Sequence, residues 1–164
     1  MNRGLKGKDG HMTNIRKRLG DLNLSIPVAQ QPLASYVLAT VTGNLIFTAG
    51  QLPLVNGQMV ATGKVGQEVD VDQAKKLAEI CALNCLAAVE TIVPLEKISR
   101  IIRVVGYVNS ATGFTNQPAV INGASELFLN LWGDSGKHAR SAIGVAELPL
   151  NAPVEVELTV EITA

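Results

Sequence analysis

The stretch Ala139-Arg140-Ser141-Ala142-Ile143-Gly144-Val145-Ala146-Glu147-Leu148-Pro149-Leu150-Asn151-Ala152-Pro153-Val154-Glu155-Val156-Glu157-Leu158-Thr159-Val160-Glu161-Ile162 decides the fold. Its second half alternates without a break: Val154, Val156, Leu158, Val160 and Ile162 face one way, and Glu155, Glu157, Thr159 and Glu161 the other. That period of two is the pattern of a strand with one face in a core. Arg140 to Leu148 reads as a second strand, and Leu148-Pro149-Leu150-Asn151-Ala152-Pro153 as a turn between the two. If Leu148 pairs with Val154 across that turn, Glu155 lies opposite Glu147. Arg140 is then roughly 23 Å away along the strand, too far for both side chains to touch one small molecule.

Upstream of these strands, Thr115-Asn116-Gln117-Pro118 is a helix start with proline in the first turn. Val120, Ile121, Ala124, Leu127, Phe128 and Leu131 form the buried stripe, and Gly133 closes the helix. Ile98 to Val108 is a β-branched run with apolar residues at both parities, as in a central strand covered on both faces. Before it, Asp70 or Asp72 can cap a long helix. Its apolar positions Ala74, Leu77, Ala78, Cys81, Cys85, Ala88, Val89 and Ile92 recur at three and four, with Pro94 marking the end. Residues 35–50 give two β-rich runs around Gly43-Asn44, a hairpin, and Asn56-Gly57 marks a second turn inside the loop region 51–67. A short helix starts at Thr13 or Asn14, with Ile15, Leu19 and Leu22 on one side. The order is strand, strand, helix, strand, helix, strand, strand. It predicts an α+β fold, a mixed sheet with two long helices on one face and nothing in the chain to cover the other.

A length of 164 residues fits one domain. With 47% hydrophobic and only 17% charged residues, the chain is too apolar for disorder and poor enough in charge to favour hiding surface in an oligomer. Net charge is zero, yet residues 1–18 hold Arg3, Lys6, Lys8, Arg16, Lys17 and Arg18 against Asp9, so the rest of the chain carries five excess negative charges. An acidic body is a poor platform for a phosphate backbone, and no nucleic-acid partner is expected. Residues 1–11 read as a polar tail or an expression remnant, with Met1 or Met12 as the natural start; residues 12–34 read as a partly helical extension, and 35–164 as the single domain. No stretch is long and apolar enough for a membrane span or a signal peptide, so the default expectation is a soluble cytoplasmic protein.

Few residues suggest chemistry. Gly57 to Lys64 has the wrong spacing for a phosphate loop, no Gly-x-Ser-x-Gly occurs, and His138 stands alone outside the tail, so neither metal nor cofactor is expected. Cys81 and Cys85 read as core. Arg140 opens a strand of small residues, which leaves room for a guanidinium to grip a carboxylate through two parallel hydrogen bonds; the plainer reading is a surface ion pair. Glu155 shares its face with two other glutamates, which by itself means a solvated face. Asn122 and Tyr36 are ambiguous alone.

The run Ala139 to Pro149 followed by Pro153-Val154-Glu155-Val156-Glu157 resembles the carboxy-terminal signature of the YjgF/Rid family, the reactive intermediate deaminases also known as endoribonuclease L-PSP proteins. Thr48-Ala49-Gly50-Gln51-Leu52-Pro53 is similar to the family's Ser-Gly-Gln-x-Pro motif, and Val120-Ile121-Asn122-Gly123-Ala124 to its Asn-bearing second helix. The resemblance implies a chorismate-mutase-like fold and a homotrimer with clefts between subunits. It also implies hydrolysis of 2-imino acids, from 2-aminoacrylate-type enamines, to 2-keto acids and ammonia. Arg140 then holds the substrate carboxylate, Glu155 positions the attacking water, Tyr36 and Asn122 line the cleft, and backbone groups of Gly50 and Ala142 contact the ligand. Many members carry Cys at the position of Ala142 and Ser at that of Ala49; a backbone contact survives both changes. Two other classes stand beside this one. A regulatory module could bind a carboxylate metabolite without turnover, and a ribonuclease is disfavoured by the acidic body, the missing paired histidine and the six scattered aromatics.

Overall fold

The computed structural model describes residues 14–32 and 35–163; the expectations for the 1–11 tail, Met12 and a Thr13 cap lie outside them. Helix α1 spans Ile15–Asp21, and Asn14 caps it by accepting the Lys17 N–H at 2.9 Å. Strands β1 (Ala39–Thr42) and β2 (Leu45–Thr48) form the expected hairpin, with Gly43 at φ 56°. The loop that follows holds a second small hairpin, β3 (Leu54–Val55) and β4 (Gln58–Met59). Its turn residues Asn56 and Gly57 both have positive φ, the conformation tight two-residue hairpins require. Helix α2 runs Val71–Glu90 from an Asp70 cap that accepts the Gln73 N–H at 2.7 Å. Strand β5 (Ile98–Asn109), helix α3 (Gln117–Trp132), strand β6 (Ala139–Val145) and strand β7 (Val154–Ile162) complete the chain.

The main sheet has the order β1-β2-β7-β5-β6, antiparallel throughout except for the parallel β5–β6 pair. This corrects the expected pairing of the last two strands. β6 and β7 run in opposite directions, as a hairpin would, but β5 lies between them. Helix α2 carries the chain from β2 to β5, and α3 from β5 to β6. Both crossovers join strands of the same direction and move the same way along the sheet, so connections of one hand lay both helices on one face.

That face is the core. Ile46, Val104, Val108, Val154, Val156, Leu158 and Val160 of the sheet pack under Leu77, Cys81, Cys85 and Leu86 of α2 and Ile121, Leu127 and Phe128 of α3. Gly123 lets the helices meet closely, since a side chain there would overlap the Lys75 backbone carbonyl. Cys81 and Cys85 are free thiols, fully buried, directed at the Val154 and Val156 carbonyls. Burial pushes the Cys85 thiol up to about 12 and the Cys81 thiol also well above its ordinary value.

The apolar residues at both parities of β5 have a different origin from the expected double cover. Register shifts between Ile98 and Arg100 and between Ile101 and Arg103 change the phase of the strand. Ile98, Ile101 and Val104 therefore all reach the core, while Arg100 and Arg103 turn to the other face. That second face, with Phe47 and Ile143 exposed near its two sides, is uncovered among the described residues. Among the described residues, no helix is long and apolar enough to cross a membrane.

Helix α1 is tied into the same core. Ile15 and Leu19 are buried with it, Arg18 donates to the Leu131 carbonyl at the end of α3 at 2.6 Å, and Arg16 pairs with Glu90 and Glu96. Leu19→Ala is therefore expected to cost about 2–5 kcal/mol, as for any buried leucine truncated to alanine. Urea unfolding measures this, and a loss below about 1 kcal/mol would show that α1 is dispensable.

Candidate functional site

The side chains singled out from sequence fall into two groups at different places on the sheet. Arg140, Ala142 and Gly144 alternate along β6 toward the helices, because their register partners Val104, Gly106 and Val108 do so. Arg140 uses one terminal nitrogen for α3: its Nη1 donates to Asn122 Oδ1 at 2.8 Å and to Ser125 Oγ at 3.2 Å. Both Nη1 hydrogens are thereby used. Among the described residues Nε and Nη2 have no hydrogen-bond partner, and this side edge of the guanidinium is the one that matches a carboxylate in a bidentate fork. The second partner, Ser125, is itself 2.9 Å from His138 Nε2, and His138 Nδ1 lies 2.6 Å from the Gly136 carbonyl. Burial holds the His138 imidazole below its ordinary pKa and the Arg140 charge adds to this, while the bond to the Gly136 carbonyl works the other way. A shallow depression of about 260 Å³, lined by Ser125, Leu129, Lys137, His138 and Arg140, opens here.

β6 is the last strand of the sheet, so among the described residues one side of its backbone is unpaired. Val145 uses its carbonyl to accept the Ser110 N–H on the inner side. By the alternation of a parallel ladder, the amide groups of Ala142 point outward, beside Arg140. Ala142 itself packs against the core, half-buried.

The second group lies around β7. Glu155 pairs with Tyr107 in register and shares the uncovered face with it. Its carboxylate rests on Gly50, where a side chain would overlap the carboxylate oxygen. The next residue, Gln51, bridges to Val156 by N–H to carbonyl bonds of 2.9 and 3.0 Å. Burial pushes the Glu155 carboxyl up from the ordinary 4.5, and the neighbouring Glu157 charge adds to the shift. Tyr107 is raised too, by burial first and then by Glu157. Tyr36, exposed, lines a broad groove with Val37, Ala39, Thr40, Phe47, Thr48 and Ala49 on the β1–β2 side of the sheet.

Arg140 and Glu155 are thus closer in space than the expected hairpin would place them. Their partners on β5, Val104 and Tyr107, are three residues apart, and two strand spacings separate β6 from β7. That sets the two Cα atoms roughly 14 Å apart in place of roughly 23 Å. They nevertheless lie on opposite faces of the sheet, so they cannot hold one small molecule within a single chain. Ser125 and His138 escaped the sequence reading. The available signal was Ser125 itself, a polar residue inside the apolar stripe of α3 that needs a partner when buried. Among the described residues, no three His, Cys, Asp or Glu side chains come together as a metal-holding group.

Comparison with known proteins places these elements in a family. The family described as "YjgF/chorismate_mutase-like, putative endoribonuclease" matches residues 16–162, nearly the whole chain including α1. The chain belongs to this family. Protein TCP17 of Trypanosoma cruzi is 35% identical over 150 residues, covering 90% of this chain and 94% of that protein. A 2-iminobutanoate/2-iminopropanoate deaminase of Dermatophagoides farinae is 32% identical over 140 residues, covering 85% of this chain and 94% of that protein. The crystal structure of Atu1372, a protein of unknown function from Agrobacterium tumefaciens, is 44% identical, covers 93% of this chain and 96% of that one, and superposes with a TM-score of 0.86.

Two measurements check the Glu155 half. Gly50→Ala should cost about 1–3 kcal/mol by forcing the carboxylate aside. The loss should largely disappear when Glu155→Ala is already present, while additive losses in urea unfolding would mean that the two do not press on one another. The raised carboxyl pKa sets the second sign. An acid harder to ionise in the fold than in the unfolded chain adds nothing below the unfolded value and weakens the fold as pH rises through the native one. Glu155→Gln should therefore match the wild-type Tm near pH 4 and exceed it at pH 8; a constant difference would remove the burial argument.

Proposed function

We propose that the protein hydrolyses 2-imino acids to 2-keto acids and ammonia, in a site completed by a second copy of the chain. The observation that carries this reading is the Arg140 guanidinium. One nitrogen is tied to α3, and the carboxylate-matching edge is left to solvent beside outward amides of β6. Family membership and the deaminase relative support the same reaction class.

The chemistry asks little of the protein. The imine carbon of R–C(=NH)–COO⁻ already accepts nucleophiles, so holding the carboxylate in the Arg140 fork fixes the carbon relative to a water. A Glu155 carboxylate takes a proton from that water as its oxygen bonds to the carbon. The C=N π pair moves to nitrogen, which takes up a proton, giving a tetrahedral amino alcohol. The Glu155 carboxyl then relays the hydroxyl proton to the amino nitrogen, the hydroxyl oxygen's electron pair forms the C=O bond as the C–N bond breaks, and ammonia and the keto acid leave. A carboxyl whose pKa is raised by burial is better matched to exchanging protons near neutral pH than an ordinary exposed one.

Since Arg140 and Glu155 of one chain lie on opposite faces, the pair must come from two chains. The Arg140 half sits on the β6 side, while Tyr36 sits on the β1–β2 side and Gly50 and Glu155 lie toward it. A head-to-tail contact between unlike surfaces, repeated around a closed ring, brings one half against the other, and a homotrimer is the assembly proposed. Phe47 and Ile143 on the uncovered face supply apolar area for it.

Keto-acid formation from freshly generated 2-aminoacrylate, followed through reduction of the product, tests the proposal. Arg140→Ala should lower kcat/KM about 100-fold, the scale of losing a bidentate charge-assisted pair. Equal rates in wild type and variant would sink the role of Arg140. Pyruvate binding that needs Arg140, without any turnover by wild type, would instead mark a metabolite-binding protein.

A further inference from the structure

We infer that His138, acting through the Ser125 hydroxyl, sets the orientation of the Arg140 guanidinium and so tunes carboxylate binding; this rests on the preceding reading that Arg140 grips the substrate carboxylate. The directions of the hydrogen bonds carry the argument. A guanidinium only donates, so Ser125 Oγ accepts from Arg140 Nη1 at 3.2 Å, and the serine hydrogen must go to another acceptor. His138 Nε2 stands 2.9 Å away and can accept it only as an unprotonated nitrogen. That tautomer requires the ring hydrogen on Nδ1, and Nδ1 faces the Gly136 carbonyl, which can only accept. One consistent direction therefore runs from the imidazole and the hydroxyl to the arginine. The ring is held from the side as well, edge-on against Phe128 at 87° with centroids 6.0 Å apart.

Placement along the chain makes the unit rigid. Asn122 and Ser125 are three apart on α3 and so lie on one helix face a turn apart, each taking one Nη1 hydrogen. His138 lies two residues before Arg140, so both reach toward α3. With both bonds made, the plane of the guanidinium is fixed and its Nε–Nη2 edge is aimed outward. With Ser125 lost, Asn122 alone leaves the plane free to turn. The Ser–His pair is a poor nucleophile and base: the serine oxygen already accepts from a cation, and Nδ1 meets a neutral carbonyl where an acyl-transfer triad has a carboxylate. Ser125 and His138 are positioning residues.

The test uses the full chain with imine turnover and, separately, pyruvate binding by calorimetry. Ser125→Ala and His138→Phe, the latter keeping a ring against Phe128, should each raise KM and the pyruvate Kd about tenfold with kcat within about twofold, the scale of one net hydrogen bond. Ser125→Thr, which keeps a hydroxyl, should restore wild-type values. Wild-type KM in both truncating variants, or a fall in kcat at unchanged KM, would overturn the inference. Nitrogen-15 NMR of the unmodified protein checks it without any variant: His138 should show a protonated Nδ1 and an acceptor Nε2, and the opposite tautomer would overturn it. Arg140→Ala separates the two levels. If it leaves pyruvate binding intact, the reading of the site fails; if it abolishes binding while the Ser125 and His138 variants bind normally, only the positioning role fails.

Discussion

The ladder between β5 and β7 is the constraint on which the rest depends. It inserts β5 between two strands that the chain joins by a short turn, and it gives the main sheet its widest continuous contact with the helices. The two register shifts within β5 keep its apolar residues under the helices despite a spacing of three at Ile98, Ile101 and Val104, and send Arg100 and Arg103 to the uncovered face. Arg100 meets Glu161 there, at 3.4 Å. The uncovered face is consequently a mixed surface, with carboxylates of β7, guanidinia of β5 and a few apolar side chains. Such a surface suits a specific, oriented contact better than bulk hydrophobic association.

The same insertion separates the two halves of the candidate site. On the β6 side a cation is held by neutral hydrogen-bond acceptors alone: an amide oxygen, and a hydroxyl that relays to an imidazole. Among the described residues no carboxylate pairs with it, so its charge remains available to an anion from outside. On the β7 side a carboxylate is pressed against a glycine and crowded by a second carboxylate, so its ionisation is made harder. An under-neutralised cation and a reluctant anion are complementary, and each chain carries both.

Much of this was readable from residues. The alternation of Val154 to Ile162, the three-and-four spacing in α2 and α3, and the turn pairs Gly43-Asn44 and Asn56-Gly57 have local causes, and local causes are visible in sequence. Strand adjacency is not local. Residues 146–153 suit a turn whether β6 and β7 touch or a third strand lies between them, and the decision comes from the core faces of α3 and β5. Asn122 shows the same limit at the site. Its helix and its face could be read, but its partner Arg140 belongs to a strand whose position follows from the whole sheet. His138 looked solitary because the hydroxyl it meets is thirteen residues earlier on a different element.

The two cysteines give the molecule a practical property. Both thiols are sealed under the sheet, and their resistance to ionisation removes the thiolate through which alkylating reagents and disulfides react. A single cysteine introduced on either side of the sheet can then carry a dye or spin label while Cys81 and Cys85 stay in place. The proposed assembly of several copies then becomes testable by distance, in a protein whose native core has been left untouched.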